Sequence, residues 1–125
     1  MQLVKPDDPI LHFPCRADFT VKMQDIMKMF EILQLMKGLG LAAPQVGIDA
    51  RLFITYWGEV FVNPTVVGIS YSIKSSESCL SLPGVFKDKQ RSYRIQLADG
   101  RIYTNEKAIV IQHEMDHLNG ILITD

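Results

Sequence analysis

Between Asp18 and Gly38 apolar residues recur every three or four positions, at Met23, Ile26, Met27, Phe30, Leu33 and Met36. That period matches the turn of an α-helix and predicts one amphipathic helix closed at Gly38, its methionines filling the core. Upstream, Pro6, Pro9 and Pro14 predict an irregular or edge-like course for Met1 to Ala17. Downstream the pattern changes to β-branched and aromatic runs. These predict strands over Arg51 to Tyr56 and Val60 to Tyr71, joined by a turn at Trp57-Gly58, with Pro64 marking an edge or a bulge. Arg91 to Ala98 and Arg101 to Thr104 flank Asp99-Gly100, the best hairpin signal in the chain. Asn105 stands where a cap would precede a second helix running to about Leu118, whose apolar surface comes from Ala108, Ile109, Ile111, Met115 and Leu118. The class predicted is α+β, with short antiparallel strands around this last helix, and Ile121 to Ile123 packing as a short strand or tail.

Composition narrows the choice only a little. A chain of 125 residues, 47% hydrophobic and 22% charged, suits one domain over 1–125 with its own core. A net charge of -1, a pI near 6.3 and scattered basic residues leave no electrostatic footprint for nucleic acid. No apolar stretch approaches the length of a membrane span, and no charged-then-apolar leader opens the chain, so a cytoplasmic location is expected. In that compartment Cys15 and Cys79 remain thiols rather than a disulfide.

The chemistry begins in the second helix, at Gln112-His113-Glu114-Met115-Asp116-His117. Four residues of helix turn the chain through roughly 400°, so His113 and His117 project from one face and can reach a single metal ion. Glu114 stands beside them, where a carboxylate can take a proton from water activated by the ion. The third ligand is best sought in Glu77-Ser78-Cys79-Leu80-Ser81-Leu82-Pro83, where a cysteine among polar residues precedes a turn at Pro83-Gly84. Cys79, His113 and His117 make a thiolate and imidazole set with a fourth position free, as catalytic sites require. Cys15 has no such polar company and is read as packing. In Gly38-Leu39-Gly40-Leu41-Ala42-Ala43-Pro44-Gln45 small residues allow a close backbone approach, and the neutral amide of Gln45 can stabilise negative charge developing on a carbonyl oxygen.

In this order, GLGLAAPQ, ESCLS and QHEMDH resemble the three signature motifs of the peptide deformylases, and DPIL near the start is similar to that family's N-terminal segment. The resemblance implies the deformylase α+β fold and removal of the formyl group from the initiator methionine of new polypeptides. It makes Cys79, His113 and His117 the metal ligands and Glu114 the acid/base. Gln45 and the Leu80 N–H become the oxyanion donors. It also makes Gly40 a backbone contact to substrate, Leu39, Ile109 and Val110 the lining of the methionine pocket, and Glu77 with Arg91 a brace for the cysteine loop. The affinity order alone would favour zinc, whereas the resemblance implies ferrous iron, with zinc or nickel as substitutes. Ser78 departs from the family's usual glycine and would cost of order 1 kcal/mol if that position needs a positive φ. The chain also resembles short members such as those of phages, which lack a further C-terminal helix. N-formylmethionyl nascent peptides are thus the expected partners, with weak or absent ribosome association and, for a phage protein, the host cytoplasm as its location.

A zinc endopeptidase is the alternative from the histidine motif, but its third ligand normally lies downstream, and none of the eight residues after His117 is His, Glu or Cys. A non-catalytic binding module would lack a competent base, and here Glu114 and Gln45 are both in place.

Overall fold

The computed structural model describes residues 1–125. Helix α1 spans Met23–Met36 and α2 spans Asn105–Leu118; the strands are β1 (Gly40–Ala42), β2 (Leu52–Thr55), β3 (Val60–Val62), β4 (Val66–Ile69), β5 (Ser72–Cys79), β6 (Leu82–Ser92), β7 (Arg94–Leu97) and β8 (Ile102–Thr104). They form three antiparallel sheets, ordered β1-β2-β3, β4-β7-β8 and β5-β6. The α+β class and its short antiparallel sheets are as the pattern predicts.

The sheet β1-β2-β3 lies between the two helices, which explains why every residue of β1 and β2 is buried. Alternate strand residues point to opposite faces. Leu41, Leu52 and Ile54 meet Ile26, Met29 and Leu33 of α1, while Ala42, Phe53 and Phe61 meet Ala108, Ile111 and Leu118 of α2. The face of α1 differs from the expected one: Met23, Met27 and Met36 are 69%, 60% and 47% exposed, and Met29 is the methionine fully in the core. Nearly every turn of α1 carries apolar residues on several sides, so the sheet decides which of them are covered.

The expected strand Val60 to Tyr71 breaks at Asn63-Pro64, where Asn63 turns left-handed (φ 47°), and its halves enter different sheets. Arg91 belongs to β6 and not to the Asp99-Gly100 hairpin, whose strands are β7 and β8. Asn105 does not cap α2 with its side chain. Its backbone is left-handed (φ 54°), and its N–H donates to Tyr93 O at 2.7 Å.

The segment read as a turning loop around Cys79 is the end of a long hairpin, β5-β6. The chain reverses at Leu80-Ser81, between the paired Cys79 and Leu82, and Pro83-Gly84-Val85 bulge out before Phe86 pairs with Ser78. Ser78 has no positive φ and is exposed, so the conformational cost attached to that position does not arise.

The last turn of α2 is sealed from behind. Arg51 Nη1 donates to Leu118 O at 2.8 Å and the Cys15 N–H to the same carbonyl at 2.8 Å, with Cys15 buried as packing. Leu122 and Ile123 are buried in a turn rather than a strand, while Ile121 stays 40% exposed. Gly120 has φ +74°, and a Cβ there would lie 2.6 Å from the backbone of Phe13. Gly120→Ala should therefore destabilise the protein by about 2–4 kcal/mol in urea unfolding, combining left-handed strain with overpacking. An unchanged midpoint would remove Gly120 as a constraint on the chain's path.

Candidate metal centre

Two elements bring three donors together. Cys79 ends β5, and His113 and His117 stand one turn apart on α2, with ring centroids 5.1 Å apart. Cys79 Sγ lies 3.3 Å from His117 Nε2, and one donor atom from each of the three residues lies within 4.8 Å of the others. His117 is buried and its Nδ1 has no hydrogen-bond partner. Burial first, then the charges of His113 and Arg91, push its pKa down to about 3, which keeps the ring neutral as a ligand must be. A soft thiolate with two imidazoles is a donor set that fits iron, zinc or nickel.

His113 is oriented from behind. Its Nδ1 lies 2.9 Å from Glu77 Oε1, leaving Nε2 to face Cys79. Burial opposes charge on this ring, but hydrogen bonds to Cys79 and Glu77 and the nearby carboxylate of Glu114 outweigh it and pull the pKa up to about 10 in the metal-free chain. A metal held by this ring would have to displace that proton, and its affinity would rise with pH. Glu77 is itself gripped by Arg91, whose Nε and Nη2 donate to its two carboxylate oxygens at 2.8 Å each, while Nη1 donates to Asp116 at 2.7 Å. Burial raises the Glu77 pKa, yet these bonds and the one to His113 overcome it and hold the carboxyl at about 2.

Glu114 is buried, and its Oε1 has no partner. Burial, reinforced by the neighbouring Glu77 and Asp116 against the pull of His113 and Arg91, lifts its pKa to about 7. Gly40 in β1 makes room for it: a Cβ at that position would stand 2.8 Å from Glu114 Oε2. Gln45, in the 3-10 turn Ala43–Val46, accepts from the Ala42 N–H at 2.9 Å through Oε1, which aims Nε2 at Ser81 Oγ (3.0 Å) and Cys79 Sγ (3.7 Å). A cavity of about 610 Å³ opens over this cluster, and Leu39, Gly40, Leu80, Ile109 and Val110 are in its wall together with Gln45, Cys79, His113 and Glu114. His117 sits behind that wall.

A family model described as polypeptide deformylase matches residues 1–125. The chain belongs to that family. It is 42% identical to the peptide deformylase of Borreliella burgdorferi over 112 residues, covering 78% of this chain and 68% of that one. The crystal structure of the Thermotoga maritima peptide deformylase superposes with a TM-score of 0.89 at 32% identity, over 99% of this chain and 95% of that chain. A deformylase from a Vibrio parahaemolyticus bacteriophage, solved in complex with actinonin, superposes at 0.87 with 28% identity, over 98% and 100%. The fold is the deformylase fold, and the activity is hydrolytic removal of the N-formyl group from newly made polypeptides. The zinc endopeptidase alternative finds no support in this assignment.

Three positioning residues escaped the sequence reading. Ser81 receives the Gln45 amide, and Asp116 shares Arg91. Gln112 holds both backbone groups of Ser92, Nε2 to its carbonyl and Oε1 to its N–H, at 2.8 Å each. Asp116 and Gln112 lie inside the histidine motif, each immediately before one of the histidines, and that spacing is the available signal.

Two outcomes are expected from this geometry. Gly40→Ala should leave the fold intact by circular dichroism and lower turnover about 10²-fold by displacing the Glu114 carboxylate; unchanged turnover would show that Glu114 tolerates the shift. Glu77, held below its ordinary 4.5, contributes stability above that pH that is lost as pH falls toward about 2. Glu77→Gln should therefore cost roughly 3 kcal/mol at pH 7 in the metal-free protein by leaving Arg91 under-paired, and flatten the pH dependence of unfolding below 4.5. A variant with the wild-type acid limb would place that dependence elsewhere.

Proposed function

We propose that Cys79, His113 and His117 hold a ferrous ion, for which zinc or nickel can substitute, and that the chain uses it to deformylate N-formylmethionyl peptides. The convergence of one sulfur and two imidazole donors within 4.8 Å, beside an unpartnered buried carboxylate, carries this reading. When bound, the ion supplies Lewis-acid activation of water and of the formyl carbonyl. Glu114, with its pKa near 7, accepts the proton of the attacking water and returns it to the departing amine. Gln45 Nε2, fixed by the Ala42 bond, and the Leu80 N–H at the hairpin reversal donate to the oxygen on which negative charge collects. Leu39, Ile109 and Val110 receive the methionine side chain, and the Gly40 backbone contacts the peptide. A thiolate ligand makes an iron-loaded site sensitive to oxygen.

Formate release from formyl-Met-Ala-Ser, with no cleavage of the unformylated peptide, is the expected result for the metal-loaded protein. Glu114→Gln should keep its metal and lose at least ~10²-fold in turnover; a metal-replete variant with wild-type turnover removes Glu114 from the chemistry. Cys79→Ser should lower iron occupancy measured by elemental analysis. Full occupancy and activity in that variant, with both lost in Cys15→Ser, would mean that the thiolate is the other cysteine.

A further inference from the structure

The wall of the cavity carries one acidic group that the reaction does not use. Glu106 lies in the first turn of α2 and lines the cavity with Ile109, Val110 and His113, which follow it at three, four and seven residues and so share its helical face. One of its carboxylate oxygens accepts from Tyr56 Oη at 2.7 Å. The other has no hydrogen bond, and Glu106 takes part in no ion pair. Lys107 beside it is turned toward the Trp57 ring, 5.1 Å from its centroid. The Tyr56 N–H also donates to Leu39 O at 2.9 Å, so a single residue ties the carboxylate to the backbone of another residue of the cavity wall. A charge at this position would suit a helix N-terminus for its own sake, but that role requires neither exposure to the cavity nor a tyrosine holding the carboxylate there.

Distances relate Glu106 to a particular residue of the substrate. It precedes Ile109 and Val110 by about one helical turn, roughly 5.4 Å along the axis. In an extended peptide the first and third side chains point the same way and stand roughly 6.8 Å apart, while the second points the other way. With the methionine between Ile109 and Val110, the third side chain therefore falls beside Glu106. On this α2 wall Glu114 faces the reacting group, leaving Glu106 as the uncommitted charge; Lys37, also in the lining, belongs to the α1 end.

We propose that Glu106, held by Tyr56, is a specificity-determining residue that favours formyl-methionyl chains with lysine or arginine at the third position. The inference rests on the deformylation reading and on the methionine side chain occupying the Ile109 and Val110 pocket. The test compares kcat/KM for formyl-Met-Ala-Lys with formyl-Met-Ala-Glu, and for formyl-Met-Lys-Ala with formyl-Met-Glu-Ala, at low and high salt. The third-position ratio should be roughly three- to ten-fold in favour of lysine at low salt, as for a partly exposed ion pair, and shrink at high salt. In Glu106→Gln, which keeps an acceptor for Tyr56, the ratio should fall to about one. The second-position ratio should stay near one throughout. A charge acting only on helix stability would shift the unfolding midpoint of Glu106→Gln and leave the peptide ratio alone, which overturns the proposal. A preference for the acidic peptide, or a lysine preference that survives Glu106→Gln, overturns it too. Failure to release formate from any of the four peptides would instead be a failure of the deformylation reading.

Discussion

The guanidinium of Arg91, buried between the carboxylates of Glu77 and Asp116, holds together the two elements that make the centre. Cys79 lies at the end of a hairpin and the histidines on a helix. Arg91 is on β6, paired with Ile73, and its side chain reaches along the hairpin to Glu77 on β5; Asp116 is on α2, and Glu77 passes the restraint on to His113. Removing one partner from such a set leaves a buried charge unpaired, which is why it specifies geometry strongly even where its net contribution to stability is small. Gln112 repeats the connection one helical turn away, through hydrogen bonds to Ser92 and without charge.

The sheet between the helices gives this arrangement its fixed background. Because β2 is covered on both faces, α2 is placed by Phe53 and Phe61 on one side while α1 closes the other. The stacked Phe53 and Phe61 rings, 4.6 Å apart, fill the space beneath the helix that carries both imidazoles. Glycine at position 40 lets the edge strand come within contact distance of the Glu114 carboxylate, so the depth of that group follows from the absence of one side chain. Burial at that depth is in turn what moves its pKa toward neutrality.

Much of this could be read from the chain. The last helix with its histidine spacing, the segment around Cys79, and the glutamine after the small-residue run all correspond to residues that converge, Gln45, Cys79 and His113 in the cavity wall and His117 behind it. What could not be read has a physical cause in each case. The β5-β6 hairpin escaped because its inward positions are Ser75, Glu77 and Cys79, so its alternation is one of burial without hydrophobicity. The face of α1 escaped because apolar residues surround it and only the sheet distinguishes Met29 from Met27. Asn105 looked like a cap because asparagine also serves well in a left-handed backbone, the role it has here. Arg91 reads as part of the neighbouring hairpin because its own strand runs on as far as Ser92 with little apolar content.

The polar interior of that hairpin separates two kinds of cohesion within one small molecule. The body coheres through apolar surface, while the arm that carries Cys79 coheres through ion pairs and hydrogen bonds, and salt, temperature and pH act differently on the two. The single tryptophan, Trp57, packs against the Phe53 and Phe61 core, away from the arm. Tryptophan fluorescence therefore reports the melting of the body and is silent on a loosened arm. For this chain the temperature at which Cys79 parts from the two histidines and the temperature at which the fluorescence changes are separate properties.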